Sequence, residues 1–226
     1  DQELQGLASA DRLLSKMSQV MEKRSPKWLM GWRDICRSTD ERTMIVSLMP
    51  LSAIGHTLPL FRLNYSSLKT SNVMFMANLN SLIFDYIARQ KAGGTHLTYF
   101  YLKQFPVLTK SQYSIDDYKF IAQRVLELVY SSEALRPWAE DMEYHGDPFP
   151  FDPDRRAILR AELDARYARL YGLNREELMY ILDPSSVMGE EYPSETFRVL
   201  KDNEIREYGE FRTMRLVLEA WDRDNP

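Results

Sequence analysis

The apolar positions follow strand spacing near the start of the chain and helix spacing over most of the rest. Residues 28–36 are rich in aromatic and branched side chains, residues 37–41 are polar, and residues 44–49 form an apolar run that stops at Pro50. Short apolar runs bounded by turn residues are typical of buried strands. The pattern therefore predicts a hairpin over residues 28–50.

Two further segments have the composition of strands. Gly55 and Pro59 punctuate a loop with a short predicted strand near Thr57–Leu63. A second predicted strand, Leu97–Leu108, is heavy in aromatics, follows a Gly-Gly turn and closes at Pro106. Together with the hairpin, these segments predict a small mixed sheet.

Apolar residues recur at intervals of three and four in the longer segments, which predicts amphipathic helices. Asn80 and Ser81 interrupt one of them with mediocre helix formers, so they are either solvated or they tie that helix to the sheet by a hydrogen bond. Asn174, followed by Glu177 at the third helical position, is close to a capping box. The predicted helices cover residues 2–24, 66–90, 115–131, 153–170, a short stretch after Asn174, 193–208 and 211–221.

A proline-rich, acidic stretch over residues 133–153 reads as a connector between two parts of the chain. We predict a connecting helix over residues 1–27, a strand-rich domain with a central helix over residues 28–135, and a helical part over residues 136–226. The predicted fold class is α+β, with a small mixed sheet braced by helices and followed by a helical C-terminal part. The chain begins with Asp1 rather than Met, so we expect a fragment of a longer protein.

Charge differs between the two halves of the chain. The formal net charge of the 226 residues is −4. Residues 1–110 hold 14 Lys and Arg against 8 Asp and Glu, a net of +6, whereas residues 111–226 hold 15 against 25, a net of −10. Binding to phosphates depends on local positive charge, so a nucleic-acid surface is expected in the first half and not in the second.

Composition excludes several classes of protein. Cys36 is the only cysteine, which excludes a disulfide framework and disfavours a cysteine-based metal site. No run of 18 apolar residues and no signal peptide occur, so we expect a cytoplasmic protein without a membrane partner.

The sequence contains no catalytic motif that we recognise. Glycine-rich nucleotide loops, nucleophile elbows and zinc-binding His-Glu or Cys-x-x-Cys patterns are absent. His56, His96 and His145 lie too far apart in the sequence to suggest a metal site. The acidic pairs at 176–177 and 190–191 are expected to be helix-start and solvated charges. These observations favour a binding or specificity module over an enzyme.

The polar turn of the hairpin and the loop around Gly93-Gly94 concentrate side chains that suit phosphates and base edges. Lys and Arg would serve phosphates or guanine edges, while Ser, Thr and His would add hydrogen bonds. The alternative is a solvated hairpin whose arginines pair with Asp34, Asp40 and Glu41, or in which Arg42 anchors the hairpin internally. The candidate DNA-contacting residues are Arg33, Arg37, Ser38, Thr39, Arg42, Lys91, Thr95 and His96.

Several segments, in this order, resemble the C-terminal region of bacterial N6-adenine DNA methyltransferases of restriction-modification systems, the large type II enzymes with a TaqI-like specificity domain. The resemblance covers nearly the whole chain, and its last part is the closing stretch 189–221. The segments that carry it are Trp32-Arg-Asp-Ile-Cys-Arg-Ser-Thr-Asp-Glu-Arg-Thr, Met49-Pro-Leu-Ser-Ala, Leu79-Asn-Ser-Leu-Ile-Phe-Asp-Tyr-Ile-Ala-Arg, Gly93-Gly-Thr-His-Leu and Gln104-Phe-Pro-Val.

The resemblance implies that the chain is the target recognition part of a site-specific adenine-N6 methyltransferase and binds double-stranded DNA. The methyltransferase domain of the same polypeptide would hold S-adenosylmethionine and the flipped adenine, so no cofactor is expected on this chain. Whether a nuclease domain accompanies it stays open. Two alternatives remain: an interaction scaffold in a phage-defence complex that docks a partner on the acidic half, and a stand-alone enzyme of another type.

Overall fold

The computed structural model describes residues 12–18, 26–61, 71–193 and 196–223. Within the predicted connecting helix, residues 12–18 are helical and exposed, and the rest of residues 2–24 lies outside the described ranges. Over the described residues the fold is α+β, with a two-stranded antiparallel sheet followed by helices. The predicted fold class is therefore confirmed.

The predicted hairpin is confirmed. Strand β1 (Trp28–Trp32) pairs antiparallel with strand β2 (Val46–Pro50), with Trp28 opposite Pro50 and Trp32 opposite Val46. Alternate residues of β1 enter the core, because successive side chains of a strand point to opposite faces. Trp28, Met30 and Trp32 are each at most 4% exposed.

The segment predicted as a strand near Thr57–Leu63 runs beside β1 but forms only a single bridge, between Leu60 and Gly31. Trp32 N donates to the Pro59 carbonyl at 3.1 Å. Proline has no amide hydrogen and interrupts a regular ladder at this point, which explains the difference from the prediction.

The helix predicted over residues 66–90 is two helices, α1 (Ser71–Asn80) and α2 (Leu82–Lys91), and residues 66–70 lie outside the described ranges. Ser81 separates them with extended backbone angles and caps α2, since its hydroxyl accepts a hydrogen bond from Phe84 N at 3.2 Å.

Of the two alternatives for Asn80, a solvated side chain or a hydrogen bond to the sheet, the structure shows the second. The Asn80 Oδ1 accepts from Val46 N and its Nδ2 donates to the Val46 carbonyl, each at 2.9 Å. The amide side chain thus occupies both backbone groups on the open edge of β2. It extends the sheet's hydrogen bonding in place of a third strand.

The strand predicted over Leu97–Leu108 is wrong. The chain forms a single helical turn, α3 (Tyr99–Leu102), closed by hydrogen bonds from Tyr101 N and Leu102 N to the Thr98 carbonyl. Aromatic residues favour strands where a sheet offers them a surface to pack on. Here the Tyr99 ring instead packs edge-on against Trp32, with ring centroids 4.7 Å apart.

The helices over residues 115–129, 153–170, 175–182 and 212–223 follow the predictions closely, whereas the helix predicted over residues 193–208 begins only at Arg198. Two short helices, over residues 136–141 and 185–188, were not predicted. The helix over residues 153–170 has the predicted bounds, because Asp152 caps its first turn and Pro153 occupies the first helical position. The predicted capping box of Asn174 and Glu177 is present. These helices are α4 (Ile115–Val129), α5 (Arg136–Asp141), α6 (Pro153–Leu170), α7 (Arg175–Leu182), α8 (Ser185–Met188), α9 (Arg198–Tyr208) and α10 (Arg212–Arg223).

The core consists of two apolar clusters that share helix α6. In one cluster, Tyr167 of α6 and Trp138 of α5 pack with the sheet. In the other, Ala165 of α6 packs with Trp221 of α10 and with Leu82 of α2. Packing therefore continues across residues 135 and 136, where the sequence predicted a boundary.

Candidate nucleic-acid interface

The two polar loops predicted from the sequence lie side by side. Cys36 N donates to the Thr95 carbonyl at 3.1 Å, and Leu97 N donates to the Asp34 carbonyl at 2.7 Å. Between these bonds, Ile35 forms an antiparallel bridge with His96. We call this combined surface, residues 34–43 and 91–97, the hairpin edge.

Five of the predicted site residues are exposed on the hairpin edge: Arg37, Thr39, Lys91, Thr95 and His96. Within the described part of the chain, neither the Arg37 guanidinium nor the Lys91 ammonium has an ion-pair partner. Both cations are therefore available to an external anion.

His96 is held in a fixed orientation at this edge. Its Nδ1 lies 2.7 Å from Asp34 Oδ2, while 55% of its side chain remains exposed. The other ring nitrogen has no hydrogen-bond partner among the described residues. That nitrogen can donate to or accept from a ligand, depending on the tautomer.

The other three predicted site residues, Arg33, Ser38 and Arg42, are only partly exposed, and their side chains or backbone bind other parts of the chain. Arg33 donates to Asp40 Oδ2 at 3.4 Å and to the Arg42 carbonyl. The Ser38 carbonyl accepts a hydrogen bond from Arg89 at 2.8 Å. The alternative in which an arginine of the hairpin pairs with Asp40 therefore holds for Arg33.

Arg42 anchors the hairpin internally, as the second alternative predicted. It donates to the Asn80 carbonyl, and its Nε lies 3.7 Å from Asp85 Oδ2. Its guanidinium therefore points toward the junction of α1 and α2 and away from the hairpin edge.

The sequence analysis missed the residue that organises this surface, Asp85. Its side chain is fully buried, and its Oδ1 accepts hydrogen bonds from the backbone amides of Thr43 at 2.9 Å and Met44 at 2.5 Å. A buried carboxylate is stable only when it is paired and hydrogen-bonded. Asp85 thereby fixes the end of the polar turn to helix α2.

Arg89, one turn further along α2, holds the other side of the turn. It donates to the carbonyls of Ser38 and Glu41, each at 2.8 Å, and to the carbonyl of Thr196 at 2.7 Å. Its guanidinium lies 4.7 Å from the centre of the Phe197 ring. The signal in the sequence was a pair of opposite charges four residues apart within an apolar helix.

Apolar side chains are also exposed on the hairpin edge and on α3. Ile35 is 51% exposed and Phe100 is 71% exposed. Tyr99, 52% exposed, donates through its hydroxyl to the Leu60 carbonyl at 3.0 Å, which ties α3 to the segment beside β1. Exposed apolar side chains among cations suit contacts with base edges and methyl groups.

The single cysteine of the chain is buried within the hairpin edge. Burial raises the pKa of the Cys36 thiol to about 11, so it stays protonated at neutral pH and is a poor nucleophile. No group of three or more His, Cys, Asp or Glu side chains in the described ranges is arranged to hold a metal ion. Nor does any helix in those ranges have the length and apolar character needed to cross a membrane.

Comparisons of the chain with protein-family models, with curated proteins and with solved structures gave no significant match. The resemblance to methyltransferase specificity domains stays a prediction from the sequence segments that carry it.

Proposed function

We propose that the chain is the DNA target recognition module of a site-specific adenine-N6 methyltransferase and that the hairpin edge contacts duplex DNA. The observation that carries the proposal is the pairing of residues 34–36 with residues 95–97. It brings two polar loops, distant in sequence, onto one surface with Arg37 and Lys91 unpaired within the described chain.

The chemistry of the edge supports the proposal. Arginine and lysine bind backbone phosphates, while Thr39, Thr95 and His96 provide hydrogen-bonding groups for base edges. The hairpin edge belongs to the half of the chain with a net charge of +6. We infer that the acidic C-terminal helices face away from the duplex.

The rigidity of the edge supports it as well. The Asp85 and Arg89 side chains bind backbone groups of the polar turn, and both belong to one of the segments that carry the family resemblance. Buried polar networks of this kind hold a loop in one geometry, which sequence-specific contacts require. On this proposal buried residues of the resembling segments build the scaffold, and exposed residues of the same segments contact the DNA together with Lys91.

In the proposed parent enzyme, the methyltransferase domain of the same polypeptide binds S-adenosylmethionine and the flipped adenine. The present chain would position that domain on its target site. A cytoplasmic location, where bacterial DNA is accessible, belongs to the same proposal.

The test is binding of the chain to a fluorescent mixed-sequence duplex over a series of salt concentrations. We expect the affinity for DNA to fall steeply as the salt concentration rises. The double variant Arg37→Ala, Lys91→Ala should reduce the magnitude of the slope of log K against log salt by about 1.8, since each lost phosphate contact removes about 0.9. The matched control is Lys119→Ala, Arg175→Ala, which removes two exposed cations from α4 and α7.

An unchanged affinity and slope in the Arg37, Lys91 variant would refute the site. If the chain and its full-length parent bound no DNA but formed a stable complex with another protein, the scaffold alternative would replace the proposed function.

A further inference from the structure

A cleft of about 270 Å³ lies between the hairpin and the C-terminal helices, and its lining includes none of the five exposed residues proposed to contact DNA. Glu41 and Arg42 form one wall, the first three turns of α6 form another, and α9 and α10 close it. Its lining includes four arginines: Arg42, Arg156, Arg160 and Arg212.

Arg42 and Arg156 each have one guanidinium nitrogen without a hydrogen-bond partner. The Arg156 guanidinium donates through Nη1 to the Leu128 carbonyl at 2.7 Å and stacks on the Phe151 ring at 4.6 Å. The Nε atoms of Arg42 and Arg156 are buried and have no hydrogen-bond partner. Arg42 Nε lies 3.7 Å from Asp85 Oδ2, whereas Arg156 has no ion-pair partner among the described residues.

The other two arginines border the same space. Arg212 donates to Asp154 Oδ1 at 2.8 Å and lies 4.8 Å from the centre of the Tyr208 ring. Arg160 has neither a hydrogen-bond nor an ion-pair partner among the described residues. Its guanidinium donors are therefore available to a ligand in the cleft, and the residue is exposed to solvent.

Three acids also line the cleft, and donors from the chain itself already contact them. Glu204 accepts from both the amide and the hydroxyl of Thr213, at 2.7 and 2.6 Å. Glu41 accepts from Asn203 at 3.0 Å, and Asp164 accepts from the amide that begins α2. Within the described part of the chain, none of the four arginines is ion-paired with these acids.

Arg212 pairs with Asp154 and Arg42 lies beside Asp85, so among the described residues the arginines of the cleft without an ion pair are Arg156 and Arg160. Enclosure in the cleft, and then the charge of Arg42, lower the pKa of the Arg160 guanidinium, while Asp164 and Glu41 oppose this shift and the residue is exposed to solvent. Burial, and then the charge of Arg160, lower the pKa of Arg156. An anion between these side chains would relieve both effects.

We propose that this cleft is a binding site for a phosphate group, held by Arg160 and Arg156 with Arg42 and Arg212 at its sides. Arginine binds phosphate through two parallel hydrogen bonds, and planar guanidinium groups that stack on aromatic rings are already oriented to do so. The volume lies just below the roughly 300 Å³ at which ligand pockets begin, so one phosphate with a small attached group fits.

The N-terminus of α6, which borders the cleft, contributes little to this site. Asp152 already accepts hydrogen bonds from the amides of Asp154 and Arg155 at 2.9 and 3.1 Å. The phosphate is therefore bound by side chains, and replacing one arginine should weaken binding strongly.

The experiment is thermal unfolding in sodium phosphate and in sodium chloride at equal ionic strength, supported by calorimetric titration with phosphate. We expect phosphate to raise the melting temperature of the natural chain, and Arg160→Gln to abolish that rise and weaken phosphate binding at least tenfold. Arg175→Gln, which removes an exposed arginine paired with Asp222, should retain the full effect.

Equal melting temperatures in the two salts would overturn the proposal, as would a full phosphate effect in Arg160→Gln. Because Arg160 has no internal partner, its replacement should leave the melting temperature in chloride unchanged or slightly higher. That measurement shows whether the variant folds.

The source of the phosphate is decided by repeating the comparison with duplex DNA and with adenosine monophosphate. A tenfold loss of DNA affinity in Arg160→Gln identifies a DNA backbone phosphate. Unchanged DNA affinity, with loss of adenosine monophosphate binding, identifies a free nucleotide. The phosphate measurement needs no DNA, so failure of the proposed function and failure of this site are separately visible.

Discussion

Asp85 and Arg89 form an ion pair one helical turn apart, with 2.9 Å between Oδ2 and Nε and side-chain exposures of 0% and 5%. The two charges neutralise each other, and their remaining polar atoms bind backbone groups of the polar turn over residues 38–44. A buried pair of this kind is costly to break, because removal of one partner leaves the other charge buried and uncompensated.

Asp85→Asn should therefore destabilise the fold by about 3–5 kcal/mol, the cost typical of leaving a buried charge unpaired. The measurement is the free energy of unfolding in urea. Asp222→Asn breaks an exposed pair with Arg175 and should cost less than about 1 kcal/mol. In the double variant Asp85→Asn, Arg89→Met the loss should be smaller than the sum of the two single losses. Strict additivity would show that the two side chains act independently.

The Asn80 side chain gives a second prediction. Asn80→Ala removes both hydrogen bonds to Val46 and leaves its amide and carbonyl without those partners, so we expect a loss of about 2–4 kcal/mol in unfolding free energy. Asn203→Ala removes an exposed contact with Glu41 and should cost less than about 0.5 kcal/mol. Similar losses in the two variants would mean that Asn80 does not substitute for a strand at the edge of β2.

The elements that the sequence predicted correctly are those with local signals. Helix α6 has its predicted bounds because its cap, its first proline and its apolar spacing lie within one short stretch. The break at Ser81 was not predictable in the same way, because it depends on Asn80 reaching Val46 and on Asp164 accepting from Leu82 N, 82 residues away.

The candidate site likewise has features that the sequence predicted and features that depend on contacts between distant residues. The hairpin edge was foreseen from two polar loops, and the structure places those loops together. Residue type alone could not separate Arg37, which faces outward, from Arg42, which faces a buried carboxylate. The arginine cleft joins side chains as distant in sequence as Arg42 and Arg212, so only the tertiary fold reveals it.

Gly31 gives a third prediction, on the close approach of β1 to the segment beside it. A Cβ atom at Gly31 would lie 2.6 Å from the Pro59 carbonyl oxygen, which is backbone and cannot rotate away. We expect Gly31→Ala to cost about 1–3 kcal/mol of unfolding free energy through overpacking. At Gly55 an added Cβ meets nothing within 4 Å, so Gly55→Ala should be neutral or slightly stabilising. Equal effects at the two glycines would contradict the close approach.

The last prediction concerns Asp164, which is buried at the junction of α2 and α6. Burial raises the pKa of its carboxyl from 3.8 to about 6, with Asp85 adding to the rise and with Arg42, the Leu82 amide and Arg160 opposing it. The folded state therefore binds a proton more tightly than the unfolded state between pH 4 and pH 6. Stability contributed by this group is present below pH 4 and is lost as the pH rises to 6.

The size of the effect follows from the shift, which corresponds to about 3 kcal/mol at 1.36 kcal/mol per pKa unit. Asp164→Asn keeps an acceptor for Leu82 N and removes the titration. The unfolding free energy of the natural chain minus that of the variant should therefore fall by a similar amount between pH 4 and pH 6 and stay constant above pH 7. The same difference taken with Asp222→Asn should not fall over this range, because its partner Arg175 lowers the pKa of Asp222. A difference for Asp164 that rises with pH would show that the nearby arginines outweigh burial and that its pKa is depressed.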